Sequence, residues 1–321
     1  MSKPALFVSF RPLERAENLR AIYYAYTGDK KHILSYAPNY RKEVLSGKYD
    51  VMVTDDFPYV SPGKTIVIWH GIHGGKTIGL SQPGHPYFSN ETSDLITYII
   101  SASSRMVNKW SDCTGVPQKR ILPLGFPRTD EYIGYTNSKA DVTTYLFVPT
   151  FRDKNETPFP DIDWQYLDSH LNDNELLIVK AHPWQSDIGT DQVTRGIGNG
   201  MFKHICVLSP AGPTTPFLYT ADVVITDYSS IMFDAYLLNK PVVLFEKTPG
   251  YTDTRGMCFR YPEEYCSFFS RTELELLDKI RYRAKYPYLM PNEKLIKHIV
   301  SDRCDGHSCE RLCQLIDDIN K

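Results

Sequence analysis

The chain has 321 residues, 42% hydrophobic and 23% charged, with a formal net charge of −2. That length exceeds a comfortable single core and predicts two domains of roughly 150 residues, while the near-neutral balance removes any electrostatic reason to expect nucleic acid as a partner. No apolar run nears the roughly 18 residues that span a bilayer, the start MSKPALFVSF has no signal-peptide pattern, and the seven cysteines, with no C-x-x-C pair, point to a reduced, cytoplasmic chain.

Apolar runs alternate with helical patterns from the start. PALFVSF (4–10) predicts a strand and ENLRAIYYAY (17–26) a helix; KHILSY, YDVMVT and TIVIW are further strands, each ended by Gly, Pro, Asp or His. LITYIISAS and KRILPL continue the series, with SRMVNKWSD between them as a helix starting on Ser103 or Ser104. The polar interval GYTNSKADVTT (134–144) breaks this rhythm, which restarts with YLFVP and runs through ELLIVKA, KHICVLS, ADVVIT and KPVVLF. Continuous apolar runs suit strands buried on both faces, so the fold class is α/β, with two Rossmann-like domains, 1–139 and 140–321, facing a cleft. The tail from Arg271 is helical in pattern and is expected to cross back over the first half.

In open parallel sheets, ligands sit outside the carboxyl ends of the strands, and the polar clusters here fall at such ends. After ADVVIT come Asp227, Tyr228, Ser229 and Ser230; Asp227 or Ser229 can cap the next helix, and its free N–H groups with the two serine hydroxyls suit a phosphate. In LLIVKAHPW, Lys180 and His182 end a strand, where an ammonium and an imidazole can neutralise phosphate charge or assist a leaving group. In TIVIWHGIHGGKTIG, His70 follows a buried strand, with Gly71, Gly74 and Gly75 allowing close backbone approach; an imidazole there is the natural general base for a hydroxyl. His73 competes for that role and His85 is a weaker rival. Arg128 in LGFPRTDEY and Arg152 in FVPTFRD each lie just beyond a strand, able to grip phosphate bidentately or to pair with Asp130 and Asp153.

Other chemistries find no footing. There is no G-x-x-x-x-G-K-[ST] phosphate loop and no G-x-G-x-x-G fingerprint, so P-loop and NAD chemistry are not expected. Cys304, His307, Cys309 and Cys313 cluster near the end, but their spacing matches no common zinc template, and no metal or other cofactor is expected.

In chain order, SFRPLERAENLRAIYYAY, WHG followed by KTIG, GFPRTDEY, FVPTFRD, KAHPW, ITDYSSIMFDAYLLNKPVVLF, the RG of TDTRG, and DGHSCERL resemble the CDP-glycerol glycerophosphotransferase family of teichoic acid and capsule synthesis. That resemblance implies a two-domain glycosyltransferase-B (GT-B) architecture and transfer of a polyol phosphate from a CDP-activated donor to an acceptor hydroxyl, releasing CMP. It implies His70 as general base and His182 on the donor's pyrophosphate or the departing CMP. Ser229 and Ser230 would hold the phosphates, Arg128, Arg152, Lys180 and Arg255 would support them, and Asp227 would orient the loop or the donor. His73 is an addition to the family's pattern after WHG, and Cys309 stands where the family usually has Ser. The chain is little more than a catalytic core, which favours a primase-like or single-addition enzyme, or a polymerase relying on partners. The resemblance also implies a lipid-linked saccharide or polymer acceptor and peripheral attachment at the inner membrane face, for which TELELLDKIRYRAKYPYL (272–289) is the best anchor candidate. CDP-ribitol is the alternative donor; a GT-B sugar transferase or 2-epimerase, and a nucleotide-binding scaffold, are the alternative functions.

Overall fold

The computed structural model describes residues 3–75, 90–136, 140–150, 162–182, 202–210, 212–247 and 256–321. They form two compact units: Met1–Gly134 with Thr254–Cys258 and His298–Lys321, and Tyr135–Asp253 with Phe259–Lys297. Each unit is built on a six-stranded parallel sheet, so the α/β class and the Rossmann-like halves expected from the sequence are found.

The first sheet contains β1 (Ala5–Ser9), β2 (Lys30–Leu34), β3 (Val51–Thr54), β4 (Lys64–Val67), β5 (Tyr98–Ile100) and β6 (Ile121–Leu122), in the order β2-β1-β3-β4-β5-β6. β1 and β3 are buried along their whole length, as their unbroken apolar sequences require. Leu6, Val8 and Met52 meet Tyr40, Val44, Tyr49 and Val60 in one core cluster. Each such aliphatic side chain withdrawn from water contributes about 1.5–3 kcal/mol. The helix Ser308–Ile319 joins this unit against the helix Glu17–Ala25, where the Tyr26 hydroxyl donates to Asp317 Oδ1 at 3.1 Å.

The second sheet contains β7 (Thr143–Phe147), β8 (Glu175–Lys180), β9 (Ile205–Leu208), β10 (Val223–Thr226), β11 (Val242–Phe245) and β12 (Phe269–Ser270), in the order β12-β11-β10-β7-β8-β9. Its core gathers Tyr145, Phe147, Leu177, Val179, Ile225 and Val243 against Leu276, Leu277 and Ile280 of the helix Glu273–Lys285. A complete capping box starts that helix: Thr272 accepts from the Glu275 N–H and Glu275 returns the bond. Among the described residues, no helix is long and apolar enough to cross a membrane.

Candidate active site

The strand order reverses once in each sheet, between β1 and β3 in the first and between β7 and β10 in the second. Such switch points open a crevice above the carboxyl ends of the strands, because the connections on either side leave in opposite directions.

In the first unit, His70 stands three residues beyond β4 and is exposed to solvent. Its neighbour Trp69 has φ +50°, a left-handed conformation that a bulky residue adopts only under constraint. The constraint is visible. Asn18 Nδ2 donates to the Trp69 carbonyl at 3.0 Å, and Arg128 Nη1 donates to the His70 carbonyl at 2.7 Å. Asn18 Oδ1 in turn accepts from the Arg128 N–H at 3.2 Å, so one amide side chain ties the helix Glu17–Ala25 to both segments. The indole packs between Phe57, at 4.8 Å between ring centroids, and the His70 imidazole, at 4.0 Å. Beyond the kink His70 is exposed while its backbone is held.

Arg128 was expected to grip phosphate. It is 8% exposed, and one guanidinium nitrogen is committed to the His70 backbone. Asn18 escaped the sequence reading, since an asparagine inside a helical pattern looks like a surface residue; its burial at 2% exposure is the signal that only the fold supplies.

His73 is a core residue. It is enclosed against Trp110, at 4.4 Å between rings, and its Nε2 lies 3.8 Å from Cys258 Sγ. Burial drives its imidazole pKa down to about 3, with the Lys109 charge adding to the effect, so it stays neutral. Its enclosure leaves His70 as the exposed imidazole on this segment. Gly71 is buried beside it, and Gly74, at φ +149°, holds a backbone conformation that L side chains rarely adopt.

In the second unit, Asp227 follows β10 and is 2% exposed. Its Oδ1 accepts from the backbone N–H groups of Thr150, at 2.8 Å, and Tyr228, at 2.6 Å. Thr226 Oγ1 donates to the Val148 carbonyl at 2.6 Å, and the Val148 N–H donates to Ile225 at 2.8 Å. These bonds stitch the ends of β7 and β10 together at the switch point, and Asp227 orients both loops. Ser229 and Ser230 are half-buried at the start of the helix Ile231–Leu237. Ser230 holds the capping position without a side-chain bond, and the Ser229 hydroxyl accepts a long 3.4 Å bond from the Ile231 N–H. Lys180, at the end of β8, is 1% exposed and donates to the Pro210 carbonyl at 3.2 Å. His182 is half-buried two residues on. Arg152, Arg255, His85 and Asp153 lie outside the described residues.

Asp130 has a structural duty instead of pairing as an arginine's partner. Its two carboxylate oxygens accept from the N–H groups of Ser308, at 3.0 Å, and Cys309, at 2.7 Å, capping the helix Ser308–Ile319. Burial raises the pKa of the Cys309 and Cys313 thiols, so neither is primed as a nucleophile.

Residues 49–318 match the sequence profile of the CDP-Glycerol:Poly(glycerophosphate) glycerophosphotransferase family. The chain belongs to that family. Among its curated relatives, the teichoic acid poly(ribitol-phosphate) polymerase of Bacillus spizizenii is 25% identical over 296 residues, covering 83% of this chain and 46% of the relative. The teichoic acid glycerol-phosphate primase of Bacillus subtilis is 24% identical over 282 residues, covering 80% and 68%. The chain spans about half the length of the first polymerases it matches, 46% and 56%. The solved wall teichoic acid polymerase TagF has the same fold, with a TM-score of 0.73 at 19% identity over 99% of this chain and 89% of that one.

Proposed function

We propose that this chain transfers glycerol phosphate from CDP-glycerol to a hydroxyl of a teichoic-acid-type acceptor and releases CMP. The observation that carries the reading is the exposed His70 imidazole on a strained turn fastened by Asn18 and Arg128, in a chain of the glycerophosphotransferase family. His70 takes the proton from the acceptor hydroxyl as that oxygen forms its bond to the glycerol-bearing phosphorus. The bond from this phosphorus to the bridging oxygen breaks, and CMP leaves with that oxygen. His182 steadies the charge on the departing CMP. Ser229 and Ser230 hold the diphosphate, Asp227 orients their loop, and Lys180, Arg128, Arg152 and Arg255 supply positive charge around it.

In this reading, residues 1–139 bind the acceptor and carry the base, while residues 140–321 bind the donor. The acceptor is a lipid-linked saccharide or polymer met at the inner membrane face, which the chain visits peripherally. CDP-ribitol is the second donor to test, because the relatives include ribitol-phosphate polymerases. The test is a donor screen reading CMP against UMP release from CDP-glycerol, CDP-ribitol and UDP-sugars, each with a saccharide-lipid acceptor. CMP from CDP-glycerol supports the proposal; UMP alone overturns it in favour of a sugar transferase or epimerase. The double substitution Ser229→Ala with Ser230→Ala is expected to raise the donor KM about tenfold, the weight of one or two bonds to a charged group, and to leave the acceptor KM in place.

A further inference from the structure

The switch point of the first sheet carries a second cluster that the mechanism above does not use. β1 and β3 run side by side, with Val8 opposite Thr54; Arg11 lies just beyond the end of one strand, and Asp55 and Asp56 just beyond the other. The Arg11 backbone is anchored, because the Ser9 hydroxyl donates to its carbonyl at 2.5 Å and meets His32 Nε2 at 2.7 Å. Since the hydroxyl proton goes to that carbonyl, His32 Nε2 is the donor of the second bond.

Arg11 is half-buried, and its guanidinium makes no hydrogen bond or ion pair among the described residues. Asp56 is also half-buried; its Oδ1 accepts from the Phe57 N–H at 2.8 Å. Asp55 is 4% exposed, and its Oδ1 has no partner. Burial pushes its pKa up to about 7 although the Arg11 charge pulls the other way. A guanidinium with no direct partner beside a buried carboxylate oxygen with no hydrogen bond detracts from folding stability. Such an arrangement fits a ligand that supplies the missing partners. Around it stand the exposed rings of Phe10 and Tyr36, paired edge to face at 6.2 Å.

We propose that Arg11, Asp55 and Asp56 form the subsite for the acceptor's terminal polyol phosphate, an inference that rests on the transferase function proposed above. Arg11 takes the phosphate oxygens and Asp56 accepts from the polyol hydroxyls. Asp55, enclosed behind them, is a positioning residue. The subsite serves the acceptor because it lies on the sheet that bears His70: β3 and β4 are paired, and the Ile68 N–H donates to the Thr54 carbonyl at 2.8 Å. A base must sit beside the hydroxyl it deprotonates.

The test titrates the full chain with sn-glycerol 3-phosphate, glycerol and inorganic phosphate, and measures acceptor and donor KM and CDP affinity in parallel. The wild type is expected to bind glycerol 3-phosphate more tightly than either fragment. Arg11→Gln and Asp56→Asn are each expected to weaken that binding and raise the acceptor KM about tenfold or more, with Arg11→Lys intermediate and CDP affinity unchanged. Asp55→Asn is expected to raise the acceptor KM without lowering Tm; a lowered Tm with unchanged acceptor KM removes Asp55 from the subsite. Equal glycerol 3-phosphate binding in wild type, Arg11→Gln and Asp56→Asn, or no preference over inorganic phosphate, overturns the proposal. The two readings separate cleanly. CMP release with an acceptor KM indifferent to these substitutions sinks the subsite alone, and Arg11-dependent binding without CMP release from any CDP-polyol sinks the transferase reading alone.

Discussion

Trp69 holds a left-handed backbone that disfavours a bulky side chain by about 1–3 kcal/mol, and the bonds from Asn18 and Arg128 to residues 69 and 70 are what maintain it. In the proposed transferase Asn18 would thus be a positioning residue for His70. Asn18→Ala is expected to reduce kcat about tenfold while CDP affinity holds; a fall in Tm with kcat untouched shows a structural role only. His73, three residues beyond His70, gives a different kind of prediction. Its pKa of about 3 in the fold lies below the ordinary 6.5, so the unfolded chain takes up a proton that the folded one refuses. The stability it contributes is whole above pH 6.5 and is lost as pH falls from 6.5 toward 3, at about 1.4 kcal/mol per pH unit. Urea unfolding of His73→Phe, which keeps a ring against Trp110, is expected to show a flatter acid limb in that window. An unchanged limb contradicts the assignment.

Among the elements, the helices Glu273–Lys285 and Pro291–Ser301 meet through a fully enclosed ion pair. Arg283 Nη2 and Glu293 Oε2 lie 2.8 Å apart with both side chains 0% exposed, and Arg283 also donates to the Tyr288 carbonyl and lies over the Phe268 ring. Removing one partner strands the other charge, so Glu293→Ala is expected to cost about 3–5 kcal/mol in denaturant unfolding. Arg283→Met combined with Glu293→Leu is expected to recover much of that loss; a cost under about 1 kcal/mol for the single substitution contradicts the account. Gly125 is a second rigid point: at φ +85°, a β-carbon there would meet the Arg303 carbonyl oxygen at 2.2 Å and Ser308 Oγ at 2.3 Å, so Gly125→Ala is expected to dislodge the Ser308–Ile319 helix, read as a lowered Tm.

Legibility at this scale followed length and local chemistry. The long apolar runs of β1, β3, β8, β10 and β11 were readable, and Ser103, whose hydroxyl accepts from the Arg105 N–H, was readable as a helix start. β12 has only two residues, too few to carry a period, and the 3-10 helix Pro127–Tyr132 follows from a proline turn that no periodicity announces.

Across the whole molecule, the two sheets have different strand orders and yet each places its polar cluster at a reversal: Arg11, Asp55 and Asp56 beyond β1 and β3, Thr150 and Asp227 beyond β7 and β10. Strand ends were visible in the sequence, so the placement of Asp227, Ser229 and His70 just beyond them could be read from it. Strand order was not, because pairing between distant segments leaves no local mark; that is why Asn18 and the Arg11 cluster emerge only from the fold. The pairs of candidates also separate on burial, with His70 exposed and His73 enclosed, a distinction that three residues of spacing do not encode. The central claim is that His70 deprotonates the acceptor for attack on a CDP-activated glycerol phosphate. Its most direct test is CMP release from CDP-glycerol in the presence of a saccharide-lipid acceptor, compared between wild type and His70→Ala. The account predicts steady release by the wild type and a loss of 100-fold or more in His70→Ala, with CDP affinity retained, the scale on which a general base acts. Equal CMP release by both proteins would contradict it.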